Sequence, residues 1–327
     1  MTMRRKAVCL LLLGCVTQNV LSQERIARVG WLTLQSTGRY EELTARGFTT
    51  GLREAGFVEG RNLLLVKRSG DGHLRRLPAL AKEIVAGGVD VFFAPAKPMA
   101  DAAWYASRKV PTVIATVTNP VTVDYAVSLA RPGKHITGVT TANAELIGKR
   151  MQLLAEMLPG LKRVGTFIDK SLLASCAEEV DLMEASARAL GLTLVRIDVT
   201  AEGDVDVHAA VQRALTAKVQ ALITAPMTSN QDITDRLSLY ARRAGLPFVH
   251  DVPQLAGDAL AVYGPDFEDI YRRAGHYVAR ILKGEQPAQM AIEEPRQFRL
   301  IVNLAVAREL GIRVSQAVLL RADDVIQ

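Results

Sequence analysis

Six short polar segments of this chain carry side chains suited to holding a small molecule. In the first half they are Ser36-Thr37-Gly38, Ala96-Lys97-Pro98 and Thr118-Asn119-Pro120. In the second half they are Asp169-Lys170-Ser171, Pro226-Met227-Thr228 and His250-Asp251. The hydroxyls and the amide of Ser36, Thr37, Thr118 and Asn119 can donate or accept hydrogen bonds, and Lys97 can pair with an acidic group. Asp169 and Asp251 can hold an ammonium. Free backbone N–H groups at the start of a helix attract anions, so a ligand carboxylate suits the first-half segments. The same residue types also cap helices and shape turns, and Lys97 can equally be a solvated loop lysine. The set therefore carries more weight than any one member.

Bond-making chemistry has no comparable signature. The sequence contains no HExxH, CxxC, Walker A run, GxSxG elbow, or GxGxxG after a strand. His73, His135, His208, His250 and His276 are scattered, and none pairs with another at metal-ligand spacing. Only His250 stands out, because it ends an apolar run beside Asp251. Cys176 has no histidine near it in an Ala/Glu-rich stretch and reads as a structural thiol. No catalytic residue, metal or cofactor is expected.

Each of the six segments closes an apolar run and leads toward a helix or turn, the pattern of a βα unit. The expected strands of the first half are Ala27–Leu34, Asn62–Arg68, Val89–Phe93 and Val113–Val117. Helices are expected near Tyr40–Ala55, from Leu74 to Val85, and from Pro98 onward. In the second half the expected strands are Arg163–Ile168, Thr193–Val199, Gln220–Thr224, Pro247–His250 and Ala259–Val262. Helices are expected at Leu172–Leu190, Val205–Ala217 and Asp232–Ala244. Phe267–Leu282 reads as a further helix, with Asp266 as N-cap and Gly284 as its stop. Phe298–Val302 reads as a strand and Ala305–Leu310 as a helix.

The two halves repeat one another. Arg28-Val29-Gly30 is echoed by Arg163-Val164-Gly165, Val89 to Pro95 by Val219 to Pro226, and Val110 to Ile114 by Leu246 to His250. The offsets are about 135, 130 and 136 residues. The fold expected is α/β: two Rossmann-like lobes, each a parallel sheet flanked by helices, joined by a multi-crossing hinge. Ligands of open parallel sheets sit beyond the carboxyl ends of the strands, which is where the six segments fall. The boundaries drawn are residues 23–143 with 266–291 for one lobe, and 144–265 with 292–327 for the other.

Length and composition agree. A chain of 327 residues suggests two domains, and 49% apolar with 23% charged residues is ordinary for a globular protein. The net charge is +6, of which Arg4, Arg5 and Lys6 supply three, and no run of five like charges marks a nucleic-acid footprint. Residues 1–22 read as an export signal. A basic start precedes an apolar stretch of about ten residues, too short to span a bilayer, and cleavage is expected after Ser22. Leu12-Leu13-Gly14-Cys15 offers lipidation at Cys15 as the rival. The chain is accordingly placed in the periplasm or otherwise outside the cytoplasm, as a monomer.

Several motifs resemble one family. Gly51-Leu52-Arg53-Glu54-Ala55-Gly56-Phe57-Val58-Glu59-Gly60-Arg61-Asn62 is similar to the GLRELGYVEGKN stretch of a family of ABC-transporter substrate-binding proteins, the tryptophan/tyrosine-type binding proteins. Ser128 to Gly133 with Thr137 to Thr140, Tyr263-Gly264-Pro265-Asp266 with Tyr271 to Ala274, Arg280 to Gly284, and Leu319 to Ile326 resemble its other segments. The resemblance implies a type I periplasmic-binding-protein fold and delivery of a small solute to an ABC permease at the membrane. It does not carry the solute across. This chain has Ala94 to Pro98, Thr118 to Pro120 and His250 to Pro253 where relatives have other residues, and all three lie at expected strand ends. The leading function is thus a solute-binding protein whose lobes shut on an amino acid or small carboxylate. A sensor for a membrane receptor would use the same binding. A racemase or isomerase would need paired acid/base groups, which a lone Cys176 does not supply.

Overall fold

Arg28-Val29-Gly30 and Arg163-Val164-Gly165 take equivalent places in two sheets of a computed structural model, which describes residues 25–170, 173, 177–199, 207–224 and 231–327. The first lobe contains β1 (Ala27–Thr33), α1 (Arg39–Glu54), β2 (Leu63–Ser69), α2 (Leu77–Ala86), β3 (Val91–Phe93), α3 (Lys97–Ala106), β4 (Thr112–Ile114) and β5 (Ile136–Gly138). All five strands are parallel, in the order β2-β1-β3-β4-β5.

The chain then enters the second lobe through α4 (Asn143–Met157), β6 (Arg163–Asp169), α5 (Ala177–Ala189), β7 (Thr193–Val199), α6 (Val207–Thr216), β8 (Ala221–Ile223), α7 (Gln231–Arg243), β9 (Phe248–His250) and β10 (Ala261–Pro265). It continues with α8 (Phe267–Leu282), β11 (Phe298–Asn303), α9 (Leu304–Glu309), α10 (Gln316–Leu319) and β12 (Asp324–Ile326). The second sheet runs β12-β11-β10-β9-β8-β6-β7, so its β7-β6-β8-β9-β10 part repeats the first sheet strand for strand.

The repeat reaches individual packing contacts. A Cβ on Gly30 would lie 2.1 Å from Ile84 Cγ2 and 3.4 Å from Val89; one on Gly165 would lie 2.8 Å from both Leu222 and Val219. Val89 and Val219 are themselves a repeated pair, so the glycine and its covering valine occur together in each lobe. Both sheet faces are covered, which is why β3 is apolar throughout. Phe93 packs with Phe48 of α1 and Tyr271 of α8 on one face, and Phe92 with Ile84 and Ala103 of α2 and α3 on the other. In the second lobe α4 and α5 cover one face, and α6 and α7 the other.

Three features depart from the sequence expectations. β5, α4, α10 and β12 were not assigned from the sequence. α4 begins after Ala142, a left-handed residue (φ 50°) whose side chain cannot cap it, so no start signal marks it. The second sheet is not wholly parallel, because β11 pairs antiparallel with β10, Pro265 facing Phe298. The chain leaves the second lobe at Pro265 and re-enters at Phe298 at the same end, so it must run back. Strand ends also shift by a few residues, as at β4, which is Thr112–Ile114 rather than Val113–Val117.

The lobes exchange helices. The segment after β5 crosses into α4, and the segment after β10 crosses back into α8. A third crossing, near residues 290–297, returns the chain to β11. The crossings are tied together: Thr140 N–H donates to Glu293 O (2.8 Å) and Glu293 N–H to Gly138 O (3.0 Å). Asp266 caps α8 as expected, its Oδ1 accepting from Asp269 N–H at 2.9 Å. Among the described residues no helix is long and apolar enough to cross a membrane.

Candidate functional site

Because both sheets repeat one parallel pattern, each lobe presents the carboxyl ends of its strands as one edge. The first-lobe edge consists of residues 34–38 after β1, 94–98 after β3 and 115–122 after β4. Ser36 and Thr37 are exposed, and Ser36 lies beside Asp71, whose carboxyl is held low chiefly by Arg76 with help from Ser69 and Ser36. Gly38 (φ 130°) precedes α1 and Ala96 precedes α3; neither helix start receives a side-chain cap. Lys97 is the first residue of α3, and its Nζ donates to Asp101 Oδ2 at 2.8 Å, four residues on. Tyr125 also donates to Asp101, so the lysine is held by its own helix rather than projecting as a free cation.

Thr118 and Asn119 are half-buried after β4. Asn119 Nδ2 donates across the gap to Glu178 Oε1 (3.2 Å), and Thr122 Oγ1 donates to Glu178 Oε2 (2.9 Å). Glu178 stands in the first turn of α5, where a carboxylate also suits the helix dipole. A second contact joins the lobes on the other side: Arg39, opening α1, and Asp235 of α7 approach to 3.4 Å.

The second-lobe edge has a different character. Asp169 closes β6 and is 2% exposed; His250 closes β9 and is also 2% exposed. His250 Nδ1 accepts from Val252 N–H at 3.0 Å, which places the ring proton on Nε2. Burial pushes its pKa down, so the imidazole is neutral, although nearby Asp251 opposes the shift. Asp251 is half-buried, with Oδ1 3.9 Å from His250 Nδ1. Met227 lies outside the described residues, as do Ser171 and Cys176.

Sequence reasoning missed three groups here. Arg150 of α4 is 1% exposed and its Nη1 donates to Tyr263 O at 3.3 Å. Burial lowers its pKa, while Asp251 and Tyr263 counteract that, and a guanidinium stays charged in either case. Tyr40 and Tyr271 meet edge to face, ring centroids 6.4 Å apart. The Tyr40 pKa is raised by burial first, then by Tyr271 and Asp251. Asp251 thus interacts with Arg150, His250 and Tyr40, reaching from the second lobe to the first. Tyr271 belongs to the Tyr271-Arg272-Arg273-Ala274 motif, which was a usable signal. Arg150 gave none, since a lone arginine in an amphipathic stretch reads as surface.

Two facing sheet edges, bridged at the rim and crossed three times behind, define a two-lobed binding protein of the type I periplasmic-binding fold. The family model described as "ABC transporter substrate binding protein" matches residues 35–326, and the chain belongs to that family. A tyrosine-binding protein from Clostridioides difficile (strain R20291) is 23% identical over 271 residues, 82% of this chain and 76% of the relative. Among solved structures, a conserved domain protein from Vibrio cholerae O1 biovar El Tor superposes with a TM-score of 0.83 at 25% identity, covering 92% of this chain and all of that one. An ABC domain from Streptococcus pneumonia in complex with L-Trp has a TM-score of 0.79 at 23% identity, covering 92% of this chain and 99% of that one.

Proposed function

We propose that this chain is the exported solute-binding component of an ABC importer, that its solute is an amino acid enclosed between the two edges, and that the closed form is handed to a membrane permease. The observation that carries the solute class is the unequal charge of the two walls. At the second-lobe edge Asp169 ends β6 and Asp251 follows β9, with the Arg150 guanidinium partly offsetting Asp251, whereas the first-lobe edge offers Ser36, Thr37, Thr118 and the uncapped starts of α1 and α3 at Gly38 and Ala96. Carboxylates on one side and N–H donors on the other match a zwitterion. His250, neutral and buried, adds no charge to that edge. The relatives that bind tyrosine and L-Trp support the choice of an amino acid. Lys97 is not counted among the solute contacts in this reading, because Asp101 pairs with it.

A ligand touching both walls stabilises the closed arrangement, because only there are both sets of contacts made. Thermal-shift titration of the exported protein against the twenty amino acids tests this. At a hundredfold excess over Kd, binding adds about 2.7 kcal/mol, a shift of about 5 °C or more. Asp251→Asn is expected to weaken the best solute by at least tenfold. Absence of any shift with amino acids, or chemical conversion of the bound solute, overturns the proposal.

A further inference from the structure

Asn119 stands at a strand end that was expected to touch solute, yet the partner the structure gives it is in the other lobe. Its Nδ2 and the Thr122 hydroxyl both donate to the one carboxylate of Glu178, at 3.2 and 2.9 Å, and Asn119 Oδ1 accepts from Thr122 N–H at 3.4 Å. Asn119 and Thr122 follow β4 of the first lobe; Glu178 begins α5 of the second. The Asn119 side chain is therefore braced by its own loop while it reaches across the gap. The strand order places this contact and the Arg39–Asp235 contact on opposite sides of the β3 end, so the candidate solute site lies between them.

The two rim contacts are unlike. Arg39 is 60% exposed, and an ion pair of that exposure is screened by salt and contributes little. Glu178 and Asn119 are half-buried, and a carboxylate accepting two hydrogen bonds is the stronger class of contact. We propose that Glu178, Asn119 and Thr122 form the latch of the closed state: they set how long the solute stays without touching it. Asn119 is then a positioning residue rather than a ligand contact. This rests on the solute-binding reading above.

A double-mutant cycle on Glu178→Ala and Asn119→Ala, with L-tryptophan and L-tyrosine as probes, tests the assignment. Each single change is expected to raise Kd about tenfold, which corresponds to about 1.4 kcal/mol, and to do so through a faster off-rate with the on-rate within about threefold. The double variant should bind no more weakly than Glu178→Ala alone, because that change already removes the contact Asn119 makes. If the Asn119→Ala loss persists in full in the Glu178→Ala background, Asn119 touches solute and the latch is wrong. Unchanged off-rates in both variants overturn it as well. A second arm needs no solute. With the three native cysteines replaced by serine, Asn119→Cys and Glu178→Cys should be joined by a short bismaleimide within one chain, at a higher yield than an Asn119→Cys/Lys162→Cys control. Equal yields reject the juxtaposition whichever solute the protein binds. Failure of both amino acids to bind, together with efficient crosslinking, rejects the amino-acid reading and leaves the latch standing.

Discussion

The two helices that change lobes are fastened by opposite means. α8 lies on α1 of the first lobe with almost no side chain between them. A Cβ on Gly47 would fall 2.3 Å from Glu268 O, on Gly51 1.9 Å from Arg272 O, and on Gly275 2.4 Å from Phe48 O. α4 lies on the second lobe through large side chains, Ile147, Met151, Leu154 and Met157, and its Arg150 is buried as well. Its one glycine, Gly148, has only Ser186 Oγ nearby, at 3.6 Å. Backbone contact tolerates no added atom, whereas interdigitated side chains can adjust. The seam between α8 and α1 is therefore specified by an absence of side chains, and the seat of α4 by their shapes.

The comparison breaks or holds on paired substitutions. Gly51→Ala is expected to cost about 3 kcal/mol, since the new methyl meets backbone that cannot yield without parting the helices. Gly148→Ala, in an open helical position, is expected to be neutral or to stabilise by about 0.5–1 kcal/mol. Urea unfolding of the two variants reads both numbers, and equal destabilisation would erase the distinction.

A second pairing concerns one histidine in each lobe. Burial depresses His250, and burial with help from Arg108 and Lys134 lowers His135 to about 4. In the unfolded chain both titrate near a pKa of about 6.5. The unfolded state therefore binds more protons as pH falls below that value, and stability declines from about pH 6.5 toward about 4. The urea midpoint should drop between pH 7 and pH 5, and His250→Gln should flatten that slope. An unchanged slope would mean that His250 is not held neutral.

The smallest expected effect is at Lys97. Its pairing with Asp101 is an i,i+4 contact worth about 0.5 kcal/mol. Lys97→Met should shift stability by about that amount and alter solute affinity less than twofold, measured by the same titration. A tenfold loss of affinity would return Lys97 to the solute.

Much of the architecture was legible because it rests on local patterns. The twin Arg-Val-Gly starts, the apolar run into Phe92 and Phe93, and the Asp266 cap are written in adjacent residues and survive in the structure. The motif Tyr263-Gly264-Pro265-Asp266 acquires a reason: a Cβ on Gly264 would lie 1.8 Å from Asp251 O, so the strand beside the hinge must be bare there. The candidate site was legible only as a set of strand ends. Asp169, His250 and Asp251 fall on the second-lobe edge as expected, but Asn119 and Lys97 have protein partners that residue type alone could not reveal.

The sequence by itself determined that two βα repeats exist, where their strands end, and which residues stand at those ends. Periodicity and turn chemistry act over a few residues, so they can be read without a fold. Only the tertiary structure decided that β11 runs backward, that Arg150 is buried near Asp251, and that Glu178 meets Asn119 across 59 positions of chain. Those outcomes depend on which distant segments come together. Each is settled by the free energy of burying paired surfaces, which no single stretch of sequence contains.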